Sequence, residues 1–283
     1  MADQAEKLRE MVKEKSKKKS RVIAFTSGKG GVGKTNIVAN VAYLLSSIGK
    51  KVVVFDADLG LANIDILMGL KSKHSLIDVI KNGKKMKDIM IKVNDNFKVI
   101  PAGSGIEEIA NITEPIFSKI KDELLDIAKE TDVLLIDTGA GISKKVTFFL
   151  KNAEEIVVIT TPEPTAIADG YAILKILSKN YKKENLYIFV NMAKNPQEAE
   201  NTITNINKIS KKFIEKEFKP MGWALYDKNL LQAVKSQKLI AELYPNSNFT
   251  ISMKKFINAM FKENLKVREN PIARFFASLF GGG

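Results

Sequence analysis

Ser27-Gly28-Lys29-Gly30-Gly31-Val32-Gly33-Lys34-Thr35 is the stretch from which the rest of the chain is read. From Gly28 to Thr35 it satisfies G-x-x-x-x-G-K-[ST], the loop that cradles nucleotide phosphates. Before it, Val22-Ile23-Ala24-Phe25 has the unbroken apolar character of a buried strand; after it, Asn36 to Ile48 is nearly all apolar and helix-compatible. Strand, loop and helix in that order are the context that gives the motif its meaning. The glycines let backbone N–H groups curl around phosphate oxygens with no Cβ in the way. The start of the following helix adds partial positive charge. Lys34 is expected to reach the β- and γ-phosphates, and the Thr35 hydroxyl to ligate Mg²⁺. Lys29 is a second lysine in the loop, and holding phosphate within one subunit does not require it.

Two further strands end in acids. Lys51-Val52-Val53-Val54-Phe55-Asp56-Ala57-Asp58 is apolar up to its carboxylates, and so is Asp132-Val133-Leu134-Leu135-Ile136-Asp137. In an open α/β sheet, ligands bind beyond the carboxyl ends of the strands, so Asp56 and Asp58 are expected to point toward the phosphates. Four apolar residues followed by Asp137 form the pattern that holds Mg²⁺, directly or through water. Gly139, just beyond, can bring backbone close to a γ-phosphate and so distinguish ATP from ADP. Leu186-Tyr187-Ile188-Phe189-Val190-Asn191 is another strand, ended by an amide.

The pattern between residues 21 and about 227 alternates. Strands are expected at 22–26, 51–56, 97–100, 132–137, 155–160, 185–191 and 221–226. Helical patterns include 36–48, 116–129, 165–180, 200–214 and 229–238. Such alternation predicts an α/β fold: a doubly wound, mostly parallel sheet flanked by helices. Pro162 and Pro164 stop the strand before them, and Thr165 is expected to cap the next helix.

The chain has 283 residues, 45% hydrophobic and 27% charged, ordinary proportions for a globular domain with a sizeable core. No apolar run has bilayer-spanning length, and no signal peptide is visible, so a cytoplasmic protein is expected. The absence of cysteine excludes disulfides and thiolate metal sites. His74, the single histidine, lies in a lysine-rich loop and reads as a solvated surface residue. The net charge is +13, yet only four of 45 basic residues are arginine: Arg9, Arg21, Arg268 and Arg274. Lysine without arginine favours diffuse attraction to an anionic surface over bidentate reading of phosphates or bases. Charge alone leaves membrane and nucleic acid both open.

The motif Gly-Lys-Gly-Gly-Val-Gly-Lys-Thr resembles the deviant phosphate loop of the MinD/ParA family of ATPases. The resemblance covers nearly the whole chain, and Thr160-Thr161-Pro162-Glu163-Pro164-Thr165 is similar to its MinD/FlhG branch. It implies ATP or ADP with Mg²⁺ as cofactors, contacted from Gly28 through Asn36 and by Gly139. It also implies an ATP-bound homodimer in which Lys29 crosses to the partner's phosphates. In that scheme Asp58 handles the attacking water, Asp56 reaches Mg²⁺ indirectly and Asn191 reads the base. The later Met221-Gly222-Trp223-Ala224-Leu225-Tyr226-Asp227 lacks the proline often found in the family's second adenine loop.

Both ends depart from the core pattern. Residues 1–20 are polar, and Lys13 to Ser20 reads as a basic tether. Their start, Asp3-Gln4-Ala5-Glu6-Lys7-Leu8-Arg9, resembles the D-Q-A-x-x-L-R motif of the FlhG family (also FleN or YlxH), which regulates flagellar number. The resemblance implies that Asp3, Gln4, Leu8 and Arg9 engage FlhF, an SRP-type GTPase. It leaves rotor switch-complex proteins and a flagellar transcription factor open as further partners, and makes nucleic acid an unexpected one. At the other end, Ile272, Phe275, Phe276, Leu279 and Phe280 recur on one helical face, bounded by Pro271 and three glycines. About ten residues span only about 15 Å, too short to cross a bilayer but suited to lying in its interface. MinD-like proteins carry such a tail here. The expected organisation is 1–20 as activator and tether, 21–263 as the ATPase domain and 264–283 as a membrane-targeting tail. The protein would cycle between cytoplasm and the inner face of the cell membrane, near a pole. Rivals are a septum-placing MinD role, a ParA-type DNA partitioning role and a non-hydrolysing scaffold.

Overall fold

The computed structural model describes residues 20–59, 63–103, 114–263 and Leu265. Asp3, Gln4, Leu8, Arg9, Ile272, Phe275, Phe276, Leu279 and Phe280 lie outside these residues.

One eight-stranded sheet organises the chain. In sequence order its strands are β1 (Arg21–Ser27), β2 (Val52–Ala57), β3 (Ile91–Asn94), β4 (Phe97–Ile100), β5 (Val133–Ala140), β6 (Glu155–Thr160), β7 (Leu186–Ala193) and β8 (Lys219–Leu225). In space the order is β3-β4-β2-β5-β1-β6-β7-β8. All neighbours are parallel except β3 with β4. The doubly wound parallel sheet read from the alternation is therefore present, with one antiparallel edge strand added. Ile91–Asn94 is too short and too polar to announce itself as a strand. It forms because Phe97–Ile100 offers an open edge three residues later.

Helices cover both faces. Helices α4 (Glu114–Glu130), α5 (Lys144–Asn152), α6 (Pro164–Lys179) and α7 (Pro196–Ile214) pack on one side. On the other lie α1 (Lys34–Ser47), α8 (Lys228–Lys235), α9 (Ile240–Leu243) and α10 (Asn248–Phe261). Short helices α2 (Ile64–Leu67) and α3 (Leu76–Lys81) and a 3-10 turn (Met86–Ile89) fill the connections. Helix α1 is apolar nearly all round because it is buried on most of its surface, including Asn40, whose Oδ1 accepts the Ala241 N–H at 2.9 Å. Phe256 of α10 sits edge-on to Phe189, 5.5 Å between centroids, and 6.0 Å from Phe25, which locks α10 onto β1 and β7.

Helix α6 begins two residues earlier than a cap at Thr165 implies. Its N-cap is Glu163 and Pro164 takes the first turn, where the missing N–H costs nothing; Thr165 is already helical.

The topology sets the site. β1 is central, flanked by β5 and β6, and the chain steps from β1 over β5 to β2. Asp56 and Asp137 are register partners on adjacent strands, as are Phe25 and Asp137. The carboxyl ends of β1, β2 and β5 therefore converge at the start of α1, the switch point at which doubly wound sheets bind ligands.

Candidate active site

The loop after β1 turns through two glycines in the left-handed region, Gly31 at φ 78° and Gly33 at φ 84°. At Gly33 a Cβ would stand 2.4 Å from Asn191 Nδ2, so only glycine fits. At Gly28 a Cβ would stand 2.2 Å from Asp169 Cβ and 2.5 Å from its backbone carbon; the loop is pressed against α6. At Gly30 a Cβ would meet nothing within 4 Å, so that side of the loop is open. Gly33 is also the N-cap of α1 and has no capping side chain, so the first N–H groups of the helix face the loop.

Gly30, Gly31, Val32, Gly33, Lys34, Thr35, Asn36 and Asp58 line one cavity of about 480 Å³. Gly28, Lys29, Asp56, Asp137, Gly139 and Asn191 do not line it, and each has a different place.

Asp137 is buried and accepts Lys34 Nζ at 2.9 Å, so it meets the loop through that lysine. Asn191 lies beneath the loop, buried, and its Nδ2 donates to the Val32 carbonyl at 2.8 Å. Its donor braces the loop, and the amide does not open into the cavity. Gly139 faces Asp58: a Cβ there would lie 3.2 Å from Asp58 Oδ1. This close approach joins the ends of β2 and β5, and Gly141 N–H ties β5 back to the Ser27 carbonyl at 2.8 Å.

The two acids at the end of β2 separate. Asp58 lines the cavity, as the strand-end rule predicts. Asp56 does not point toward the phosphates. Oδ1 accepts the Asp58 N–H at 3.1 Å, and Oδ2 accepts those of Asn63 at 3.1 Å and Ile64 at 3.4 Å. Its carboxylate thus holds both ends of the loop from 58 to the start of α2. A strand's period of two would put residues 56 and 58 on one face; they separate because β2 ends at Ala57 and the chain turns there. Burial, and then the neighbouring Asp137 carboxylate, push the Asp56 pKa up to about 7, against the lowering effect of the three N–H groups.

Lys29 points out of its own cavity. Its Nζ reaches Glu163 Oε2 at 2.6 Å and Thr165 Oγ1 at 3.4 Å, at the start of α6.

Asn63, Ile66, Leu67, Met192 and Val234 also line the cavity; Asn63 belongs to Leu59-Gly60-Leu61-Ala62-Asn63-Ile64-Asp65, a stretch that resembles the family's switch segment after the strand-end acids, whereas sequence reading missed the other four. Those four come from α2, β7 and α8, far apart in the chain, and none carries a motif. Met192 alone left a trace: it directly follows Asn191, and it adopts φ 58° although it is not glycine. A larger cavity, about 720 Å³, opens between α7, α10 and the β8 edge; among the described residues its titratable groups are Glu200 and Lys255. The chemistry belongs to the smaller one.

A ParA family model, described as "NUBPL iron-transfer P-loop NTPase", matches residues 18–261. The chain belongs to the ParA family of P-loop NTPases. It is an ATPase of the ParA/MinD type. The chain has no cysteine, so it lacks the thiolates that hold iron–sulfur clusters. Antiactivator FleN of Pseudomonas aeruginosa is 35% identical over 234 residues, covering 83% of this chain and 84% of that protein. Flagellum site-determining protein YlxH of Helicobacter pylori is 34% identical over 273 residues, covering 93% and 91%. The septum site-determining protein MinD from Pyrococcus horikoshii, solved with Mg-ADP, superposes with a TM-score of 0.72 over 87% of this chain and 100% of that one. At 21% identity that likeness is one of fold. Within its family the ATPase is of the FlhG type, by its likeness to these flagellar relatives. Among the described residues no helix is long and apolar enough to cross a membrane.

Proposed function

We propose that this ATPase is a nucleotide-controlled switch that sets flagellar number or placement. The observation that carries the reading is the match to FleN and YlxH over most of the chain. In the proposal, the loop from Gly28 to Asn36 holds the phosphates of ATP, Lys34 neutralises them, and Thr35 and Asp137 serve Mg²⁺. The cradle supports this: Gly33 admits no Cβ, and the first N–H groups of α1 face the cavity. Nucleotide and metal would divide the Lys34–Asp137 pair, phosphate taking the ammonium and Mg²⁺ the carboxylate. Asp58 would orient the attacking water from its place beside Gly139. Asp56 acts behind it, by fixing the loop that carries Asp58 and Asn63. Asn191 supports the base-binding side through the Val32 carbonyl.

Lys29 is assigned a role across a homodimer, in the manner of an arginine finger. Its outward course from its own cavity supports that. Dimerisation on ATP would pair two tails, residues 264–283, and convert weak membrane contacts into avid ones on the inner face of the cell membrane. Hydrolysis would release them. Residues 1–20 would engage FlhF, with Gln4 entering its active site. GTP hydrolysis by FlhF, measured with a peptide of residues 1–20 and with its Gln4→Ala form, tests this reading. Stimulation by the first and none by the second is expected. Equal rates with both peptides and with buffer would remove FlhF as the partner.

A further inference from the structure

At the end of the sheet opposite the nucleotide cavity, the parallel strands begin and the helices that feed them end. Helices α6 and α7 deliver an unusual charge there. Residues 175–184 and 208–219 hold nine lysines against three glutamates, and neither arginine nor aspartate. Part of this charge is structural. Lys179 Nζ donates to the Phe213 carbonyl at 3.2 Å, Lys216 Nζ to the Lys183 carbonyl at 3.3 Å and Lys183 Nζ to the Ala153 carbonyl at 2.7 Å. These bonds satisfy carbonyls near helix ends and weld the corner together.

The remainder is arranged around exposed apolar surface. Ile209 and Phe213, one helical turn apart on α7, are 36% and 57% exposed. Lys208 and Lys212 form the adjacent row at the same spacing, and Lys212 Nζ lies 5.4 Å from the Phe213 ring centre. Lys182 and Lys211 are also exposed at this corner, Lys211 bonded to Glu217 at 3.0 Å. A solvated lysine face is a common way to keep a protein dissolved, but it does not call for a phenylalanine at its centre. An apolar pair beside a row of lysines is what an anionic bilayer surface selects: the ring enters the headgroup boundary while the ammonium groups meet lipid phosphates. A nucleic-acid backbone would meet the same charge but gives the Phe213 ring nothing to pack against, and the corner has no arginine to grip phosphate bidentately.

Position supports the same occupant. Arg21, which follows the lysine-rich stretch from Lys13 to Lys19, opens β1 at this end of the sheet. Its guanidinium bonds the Met260 carbonyl at 2.7 Å, so the end of α10 is there too. Leu265, the last described residue, exchanges two hydrogen bonds with Asn258 of α10, at 2.8 and 3.1 Å. The chain thus enters and leaves the domain at the end that carries the lysine corner.

We infer that the corner formed by Ile209, Phe213 and the neighbouring Lys182, Lys208 and Lys212 is a docking surface for anionic lipid headgroups, built into the folded domain. It is separate from the C-terminal tail of the proposed function, and it would fix which face of the domain lies on the membrane. The test uses the full chain with MgATP, sedimented with vesicles of phosphatidylcholine mixed with phosphatidylglycerol and with vesicles of phosphatidylcholine alone. Lys208→Gln/Lys212→Gln should lose about tenfold or more in affinity for the anionic vesicles, with a shallower salt dependence. Phe213→Ser should also weaken binding, whereas thermal unfolding and ATP hydrolysis in solution stay as in the parent. Parental vesicle binding by both variants would overturn the inference. So would parental vesicle binding joined to lost duplex-DNA binding, which would assign the corner to nucleic acid. A chain lacking residues 271–283 separates the two membrane claims. If it fails to bind while the corner variants bind normally, the tail acts alone and the corner does not dock. If it retains binding that Lys208→Gln/Lys212→Gln abolishes, the corner docks by itself.

Discussion

Two lysines five residues apart in one loop have opposite fates. Lys34 begins a helix, is 9% exposed, and lies 2.9 Å from an Asp137 that is 1% exposed. Lys29 is 40% exposed and lies 2.6 Å from a Glu163 that is 62% exposed. The shorter contact is the weaker one. In water the Glu163 pair is screened and worth about 0–1 kcal/mol. Inside the sheet, removing one partner strands an uncompensated charge, at a cost of about 3–5 kcal/mol. The loop therefore carries one lysine fixed by the fold and one that the fold holds lightly.

The largest test of that contrast is Lys34→Ala. It leaves Asp137 buried beside Asp56 and should destabilise the nucleotide-free protein by about 3–5 kcal/mol in urea unfolding, besides abolishing ATP binding. Lys29→Ala should cost less than about 1 kcal/mol in the same assay. Similar losses for both would erase the distinction between the two lysines.

Asp58→Ala acts on the chemistry and spares the fold. Hydrolysis should fall by about 10²–10⁴-fold while nucleotide binding persists, giving dimers trapped with ATP in size-exclusion chromatography. Monomers in saturating ATP would contradict the proposed dimer switch.

The buried side of the comparison also has a pH signature. The Asp56 pKa is raised to about 7 in the fold, above the unfolded carboxyl near 4. The native state therefore holds a proton that the unfolded chain has lost, and this contribution to stability is complete below about pH 4 and disappears as pH rises to about 7. Unfolding of the metal-free protein in chelator, followed from pH 4 to pH 8, should show this loss. Asp56→Asn should flatten the dependence. An unchanged slope in that variant would assign the titration elsewhere.

The smallest effect is expected at Glu163→Ala. Stability should change by less than about 1 kcal/mol, and ATP-dependent dimers should form at slightly lower protein concentration in light scattering, because Lys29 is no longer held by its own subunit. Weaker dimerisation would mean that Glu163 serves the dimer and does not restrain Lys29.

The phosphate loop, its strand and helix, and the strand-ending Asp137 were legible because their chemistry is contiguous. Backbone curling around phosphate needs small residues in sequence order, and a buried strand ending in an acid announces itself through unbroken apolar side chains. The same logic misplaced Asp56. At the end of a strand, position along the chain does not tell which carboxylate faces the ligand and which turns to bind backbone N–H groups. The place of Asn191 follows from its strand, but its use of the Val32 carbonyl depends on a loop 159 residues away.

The sequence by itself determined the kind of fold, the place of the phosphate site and the two lysines within it, because each follows from local periodicity and from backbone conformations that glycine alone adopts. Only the tertiary structure decided that Lys34 meets Asp137, that Lys29 meets Glu163, that Asp56 braces a loop, and that lysines from two helices gather around Phe213. Each of those depends on which strands are neighbours. Strand order is fixed by packing helices on both faces of a sheet, a balance summed over the whole core that no single stretch of sequence records.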